Sequence, residues 1–443
     1  MSEPQETPRD VREEVRLLLD EGDPGAVLRR LRQDLGAFGT AELAGVLARL
    51  AEDAGFDDLA QSAGRVAADP ADPRARYEFG YACVERGAAF AAVPVLRELQ
   101  AEAPGSPAVL RELASALEDE GRHAEAADAL QHALERGEAP LEDWPDRYLL
   151  GYNALLAGRV DLAAEVAGAL APPPDDAWLP ARERLAGMVR RALAVRENGG
   201  LDLRDLRGWH FALTGGLLLE LSPFGYDEGM NGRYAMVSDD YDACGRALRL
   251  LIRVMDATGH RPGSVGLLPD RSSRALGLAA AGLLGVAAEP FTGPRPGQLV
   301  VAYDLGDSEH GLLEALRERA PGQVLFERST CWTEPPAVPA DVTGWLVQTV
   351  LAPWAENMRF HPETGAERIP ADDRPAEALA EEIAAAAAAP GGAPESGAGE
   401  DGEPPFDPEE RVLAFAAAVR GLWLTGSRPP MPSSGPVPGN SFT

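Results

Sequence analysis

Asp304, Asp307, Ser308, Glu309 and His310 cluster at the end of the apolar run LVVAYDLGDSEHG (299–311). In open α/β sheets, ligands collect at the carboxyl ends of strands, beside helix N-termini that favour anions. Asp304, Asp307 and Ser308 are therefore candidate ligand-binding residues, with plain helix capping by Asp307 or Ser308 as the structural alternative. A second group is Pro269-Asp270-Arg271-Ser272-Ser273-Arg274. There Arg271, Ser272 and Arg274 at a helix start suit a phosphate or carboxylate, or else form a cap with Arg271 paired to Asp270. A third is the loop SPFGYDEGMNGRYAMVSDD (222–240), which gathers Asp227, Glu228, Asn231 and Arg233. Asp227 and Glu228 are the residue types of a general base or metal ligand, and long mixed loops of this kind often carry function. Trp209-His210, ahead of Thr214-Gly215-Gly216, reads as a core histidine satisfied by backbone.

Composition narrows the chemistry. The 443 residues contain 41 basic side chains, all of them arginine. Without lysine there is no Walker-A loop, no Schiff-base enzyme and no kinase β3 lysine. Arginine in place of lysine, with abundant Ala, Gly and Pro, is what a GC-rich genome writes. The net charge of −30 disfavours nucleic acid and anionic membrane as partners. Cys83, Cys244 and Cys331 form no CxxC, and the six histidines form no HxxxH or HExxH, so neither a disulfide framework nor a metal site is expected. His123 and His132 are expected on solvated helix surfaces. No cofactor is expected. The start lacks a signal-peptide pattern and the apolar run 275–288 is too short to span a bilayer, so the expectation is a soluble, cytoplasmic chain.

The elements that must position these residues begin with a repeat. A step of 34 maps Phe79 to Leu113, Gly80 to Ala114, Gly87 to Gly121, Ala92 to Ala126, Leu96 to Leu130 and Leu99 to Ala133. After a three-residue insertion a third copy follows in Leu150, Gly151, Gly158, Ala163, Ala167 and Leu170. Each copy reads as helix, glycine turn, helix, and Pro104 and Pro172 stop the second helices. Gly55 with Ala60 extends the pattern loosely over 40–72, and Gly22 marks another turn within 10–36.

In period and placement this resembles the tetratricopeptide repeat (TPR) family, although Arg76, Leu110 and Arg147 stand where that family carries tryptophan. The resemblance implies an all-α solenoid whose first helices line a peptide-binding groove. Carried over by position, the groove residues are Arg74, Tyr77, Tyr81, Arg111, Ser115, Tyr148 and Tyr152, with packing between repeats as the alternative for Tyr77 and Tyr148. Tyrosine and arginine are residue types enriched at binding hot spots. The carboxylate clamp that some members build from lysine finds no match, and Glu78 and Glu112 point to a mixed-charge or basic ligand. Residues 175–197 read as a closing helix for the repeats.

Near residue 200 the pattern changes to alternating strands and helices, predicting an α/β domain with a mostly parallel sheet over 200–370. The expected strands are 209–213, 217–221, 234–237, 264–268, 299–303 and 324–327. The expected helices are 239–258, 271–285, 308–320 and 341–355. Residues 264–328 are similar to a phosphoribosyltransferase-like fold, but Tyr303 replaces one of that family's paired acids and carboxylates stand where phosphate would sit. The resemblance therefore implies a degenerate, non-catalytic relative.

Residues 371–443 read as an acidic low-complexity tail: an Ala-rich helix over 375–389, a flexible linker over 390–406, an amphipathic helix over 408–424 capped by Asp407, and seventeen disordered residues. That amphipathic helix is a possible internal ligand for the repeat groove. The combined expectation is degenerate helical pairs (1–72), TPR-like repeats with a cap (73–198), then the α/β domain and tail. It is a scaffold binding a protein or peptide partner rather than an enzyme. The alternative is a phosphate- or nucleotide-binding enzyme or sensor built on the second domain. Oligomeric state is not legible.

Overall fold

A computed structural model describes residues 10–137, 141–306, 308–334, 336–361, 365–389, 407–431 and 435–440. The chain divides into two compact units, Met1–Leu179 and Pro180–Thr443.

The first unit is a tandem array of helix pairs: α1 (Val11–Glu21) with α2 (Pro24–Gln33), α3 (Thr40–Ala54) with α4 (Asp57–Ala68), α5 (Pro73–Glu85) with α6 (Ala89–Glu102), α7 (Pro107–Asp119) with α8 (His123–Arg136), and α9 (Tyr148–Leu156) with α10 (Val160–Ala169). The turn of each pair contains a glycine with positive φ: Gly22, Gly55, Gly87, Gly121 and Gly158. Only glycine adopts this conformation without steric cost. Small residues set the closeness of each pair. A Cβ on Gly80 would lie 2.6 Å from Leu96, and Ala92, Ala126 and Ala163 are fully buried. Asp72 and Ser106 cap α5 and α7, each of which has proline in its first turn. His123 is buried, not solvated, with Nδ1 2.9 Å from Asn153 Oδ1. His132 is exposed.

The helix expected to close the repeats, α11 (Leu179–Gly199), lies almost wholly in the second unit. Arg191 fixes it there by donating to the carbonyls of Phe211, Ala212 and Leu213 in the last turn of α12 (Leu206–Thr214). Residues 209–213, expected as a strand, belong to that helix. The sheet comprises β1 (Leu217–Leu218), β2 (Tyr234–Ser238), β3 (Ser264–Leu267), β4 (Ala287–Pro290), β5 (Gln298–Ala302), β6 (Val324–Cys331) and β7 (Val342–Leu351). Every pairing in it is parallel. The order is β1-β7-β6-β5-β3-β4, with β2 also on β7. Thus β1 and β2 share one edge, interrupted by the loop 219–233. Residues 341–355, expected as a helix, are mostly β7. A hairpin of β8 (Asn357–His361) and β9 (Gly365–Ile369) was not anticipated.

Both faces of the sheet are buried, so strands alternate between two cores. Leu299, Val301 and Tyr303 enter one, and Val300 and Ala302 the other. The first core is covered by α13 (Tyr241–Thr258), α14 (Arg271–Leu284), α16 (Ala376–Ala388) and α17 (Glu409–Val419), and the second by α15 (His310–Arg317).

The tail departs most from expectation. Residues 390–406 lie outside the described residues, but α17 packs Val412, Ala416 and Val419 into the α/β core. Its cap is Pro408, because Asp407 is instead paired with Arg207. Residues 427–431 and 435–440, expected to be disordered, are held: Arg428 is buried against Asp341 and donates to the carbonyls of Leu316 and Glu318.

Candidate functional site

In the first unit, α5 packs on α7 and the two present adjacent stripes. Positions 77, 81 and 85 recur at helical spacing on α5, and 112, 115 and 119 on α7. Tyr81 is 50% exposed and Tyr77 half-buried. Tyr77 senses Glu112, Tyr81 and Arg111, and burial first, then those two acceptor groups, raise its hydroxyl pKa. Partial burial, then Glu85 and Asp119, also raises the Glu112 carboxyl. Partial burial, then Glu120 and Glu85, raises Asp119.

The expected groove arginines are already engaged. Arg74 donates to Glu78, 2.9 Å away. Arg111 holds the fully buried carboxylate of Asp146 by two bonds, of 2.5 and 2.9 Å. Tyr148 and Tyr152 are 4% and 1% exposed, stacked behind Trp144 with ring centroids 5.3 and 5.8 Å apart. Both are therefore packing residues. The surface that remains consists of Tyr77, Tyr81, Ser115, Glu85, Glu112 and Asp119, two aromatic rings beside three carboxylates. Among the described residues none of these carboxylates has an ion-pair partner. Glu85 and Asp119 were missed in the sequence, although the four-residue spacing from Tyr81 and from Ser115 was there to find them.

In the second unit, β3 connects to β4 on one side, and the chain then returns to β5 on the other. That reversal is where open α/β sheets form ligand crevices. A cavity of about 520 Å³ sits there, lined by Pro269, Asp270, Ser272, Tyr303, Asp304, Ser308, Glu309 and Leu312. It thus gathers three of the expected ligand residues, Ser272, Asp304 and Ser308. Two others are turned away: Arg271 donates to the carbonyls of Asp372 and Arg374, and Arg274 pairs with Glu377, 2.9 Å away. Asp307 lies outside the described residues. Asp270 caps α14 by accepting from Ser273 N, and Asp304 accepts from Gly306 N. Next to this loop, Glu327 is buried, accepting from Leu305 N at 2.8 Å and Thr330 Oγ1 at 2.5 Å. Burial pushes its carboxyl up to about 8.

The loop residues Asp227, Asn231 and Arg233 do not line that cavity. Asp227 is exposed. Arg233 is 1% exposed and donates to the carbonyls of Pro438 and Val437 at 2.9 and 3.0 Å, while Asn231 donates to that of Pro438. Burial, without a carboxylate partner, lowers the Arg233 guanidinium to about 10. His210 is not satisfied as expected. Its Nε2 is buried without a partner, and burial, then Arg233 and Arg207, push it down to about 4.

Among the described residues, no His, Cys, Asp or Glu group is arranged to hold a metal ion, and no helix is long and apolar enough to cross a membrane. No family profile matches the chain, and no curated protein matches it. Among solved structures, MamA AMB-1 aligns with 23% identity over 36% of this chain and 96% of its own, at a TM-score of 0.24.

Proposed function

We propose that this chain is a protein-interaction protein that captures a basic peptide segment on the α5–α7 surface. The observation that carries the reading is the pairing of Tyr77 and Tyr81 with Glu85, Glu112 and Asp119, carboxylates without a cation among the described residues. Tyrosines offer rigid contact area, and a ligand arginine or lysine supplies the missing charge. Burial first, and then neighbouring carboxylates, raise Glu112 and Asp119, and a cation arriving beside them offsets both effects. The TPR-like arrangement of first helices as a peptide-binding face agrees with this use. The α/β unit is then an accessory domain.

The rival reading, a phosphate or nucleotide site in the α/β unit, has less support. The switch-point cavity is lined by Asp270, Asp304 and Glu309, while Arg271 and Arg274 are spent elsewhere. An anion there would meet carboxylates instead of guanidinium groups. Panning a random peptide library against the full chain tests the main reading. Peptides enriched in arginine or lysine, and lost on Tyr81→Ala, support it. Selection without a basic bias contradicts it.

A further inference from the structure

Residues 435–440 are bound in the manner of a peptide ligand. Residues 435–440 read Gly-Pro-Val-Pro-Gly-Asn and contribute no helix or strand. Pro436 and Pro438 restrict φ and so lower the entropy lost when the segment is held in one conformation. What holds it is directed almost entirely at its backbone: Arg233 to the carbonyls of Val437 and Pro438, and Asn231 to that of Pro438. In return, Asn440 donates its backbone N–H to the Gly229 carbonyl and Nδ2 to the Glu228 carbonyl, at 3.3 and 2.7 Å. Val437 is buried. Gly439 lies against the Trp332 ring, where an added Cβ would sit 3.0 Å from Cζ3 and 3.2 Å from Arg233 Nη1. Trp332 is fixed in turn by its Nε1 donating to Tyr234 O, and Arg233 lies 5.4 Å from its ring.

An aromatic wall, donors aimed at peptide carbonyls and a pocket for one aliphatic side chain are the parts of a site for proline-containing strands. The receptor half, loop 222–233 with Trp332, is reached from the far end of the chain, some two hundred residues later. Among the described residues Arg233 has no ion-pair partner, so losing the segment would return a buried cation to water instead of stranding a salt bridge. We propose that loop 222–233 and Trp332 form a docking site for a Pro-x-Pro-Gly-Asn segment, and that residues 435–440 are its exchangeable ligand in cis.

The test is to replace residues 432–434 of the full chain with a protease site, cleave, and follow the nine-residue peptide 435–443. Retention on gel filtration, loss on dilution and saturable rebinding of the labelled synthetic peptide are expected. Within that peptide, Gly439→Ala should weaken binding at least tenfold, and this variant leaves the protein body untouched. Arg233→Met in the body should abolish rebinding. Rebinding that is absent, or that is indifferent to Gly439→Ala, overturns the proposal, as does a cleaved body that unfolds when the peptide leaves. Uncleaved chains that pass the segment between copies would appear as concentration-dependent dimers competed away by the peptide, and would support it.

Discussion

Arg111 reaches from α7 to Asp146, with Nε 2.5 Å from Oδ1 and a second bond of 2.9 Å, and the Asp146 carboxylate is fully buried. This one pairing removes an expected ligand-binding cation from the groove, where, among the described residues, Glu85, Glu112 and Asp119 have no ion-pair partner. It also ties α7 to the approach of α9, because Asp146 accepts from Glu142 N as well. Arg111→Ala strands a buried charge, so an unfolding free-energy loss of about 2–3 kcal/mol is expected in denaturant titrations, discounted for the part-exposed arginine. Adding Asp146→Asn should recover part of that loss, which a double-mutant cycle reads directly.

Glu327 gives a pH prediction. Its folded-state carboxyl titrates near 8 against an ordinary value of 4.5, so between those values the folded chain holds a proton that the unfolded chain has released. Stability therefore falls as pH rises through this window. Glu327→Gln should be close to neutral at pH 4 and increasingly stabilising as pH rises toward 8, by about 3–5 kcal/mol at pH 9. Thermal melts of both proteins across pH 4–9 would show the two curves converging at the acidic end and separating as pH rises.

Arg328 holds the centre of the second unit. Fully buried, it donates to Asp239 at 3.0 Å and Glu220 at 3.0 Å, with its guanidinium 3.4 Å from the Trp345 ring centroid. Asp239 also accepts from Tyr303 Oη at 3.1 Å. Arg328→Met should cost about 3–5 kcal/mol by leaving Asp239 buried without its partner. Arg328→Lys should not restore it, since one ammonium cannot reproduce the fork geometry and the ring stacking. Chemical denaturation of the three proteins checks both statements.

Much of this architecture was legible in the sequence, and the failures have physical causes. The 34-residue step located the turns because glycine at positive φ is demanded by the backbone, not by a partner. The strands at 264–268, 299–303 and 324–327 announced themselves as short apolar runs. Residues 341–355 were expected as a helix, whereas the β-branched Val342, Thr343, Val347, Thr349 and Val350 favour the strand that formed. The segment 209–213, apolar but for His210, is too short for periodicity to separate helix from strand. The tail read as disordered by composition, yet its order comes from Arg233, Asn231 and Asp341, groups distant in sequence. The site was half visible. Tyr77, Tyr81 and Ser115 came by position from the repeat resemblance and Glu85 and Asp119 were missed, while the withdrawal of Arg111, Tyr148 and Tyr152 into packing depends on Asp146 and Trp144, which no local pattern connects to them.

Glu112 carries the pH dependence of the proposed capture. Its pKa is raised in the free protein by partial burial and by Glu85 and Asp119, and a bound cation should lower it. Peptide binding should therefore release protons at pH values just above the ordinary carboxylate range and tighten as pH rises through it. Calorimetric titrations in two buffers of different ionisation enthalpy would count those protons, and Glu112→Gln should abolish most of the release.

The most direct measurement of the central claim is a calorimetric titration of the full chain with a peptide alternating arginine and leucine, against a peptide in which glutamate replaces arginine. Saturable binding of the basic peptide alone is predicted, weakening with salt. Tyr81→Ala and the double variant Glu112→Gln/Asp119→Asn should each weaken it about tenfold, while Tyr152→Phe, inside the packing, leaves it unchanged. Equal binding of the two peptides, or affinity indifferent to Tyr81 and to the carboxylates, would contradict the proposal.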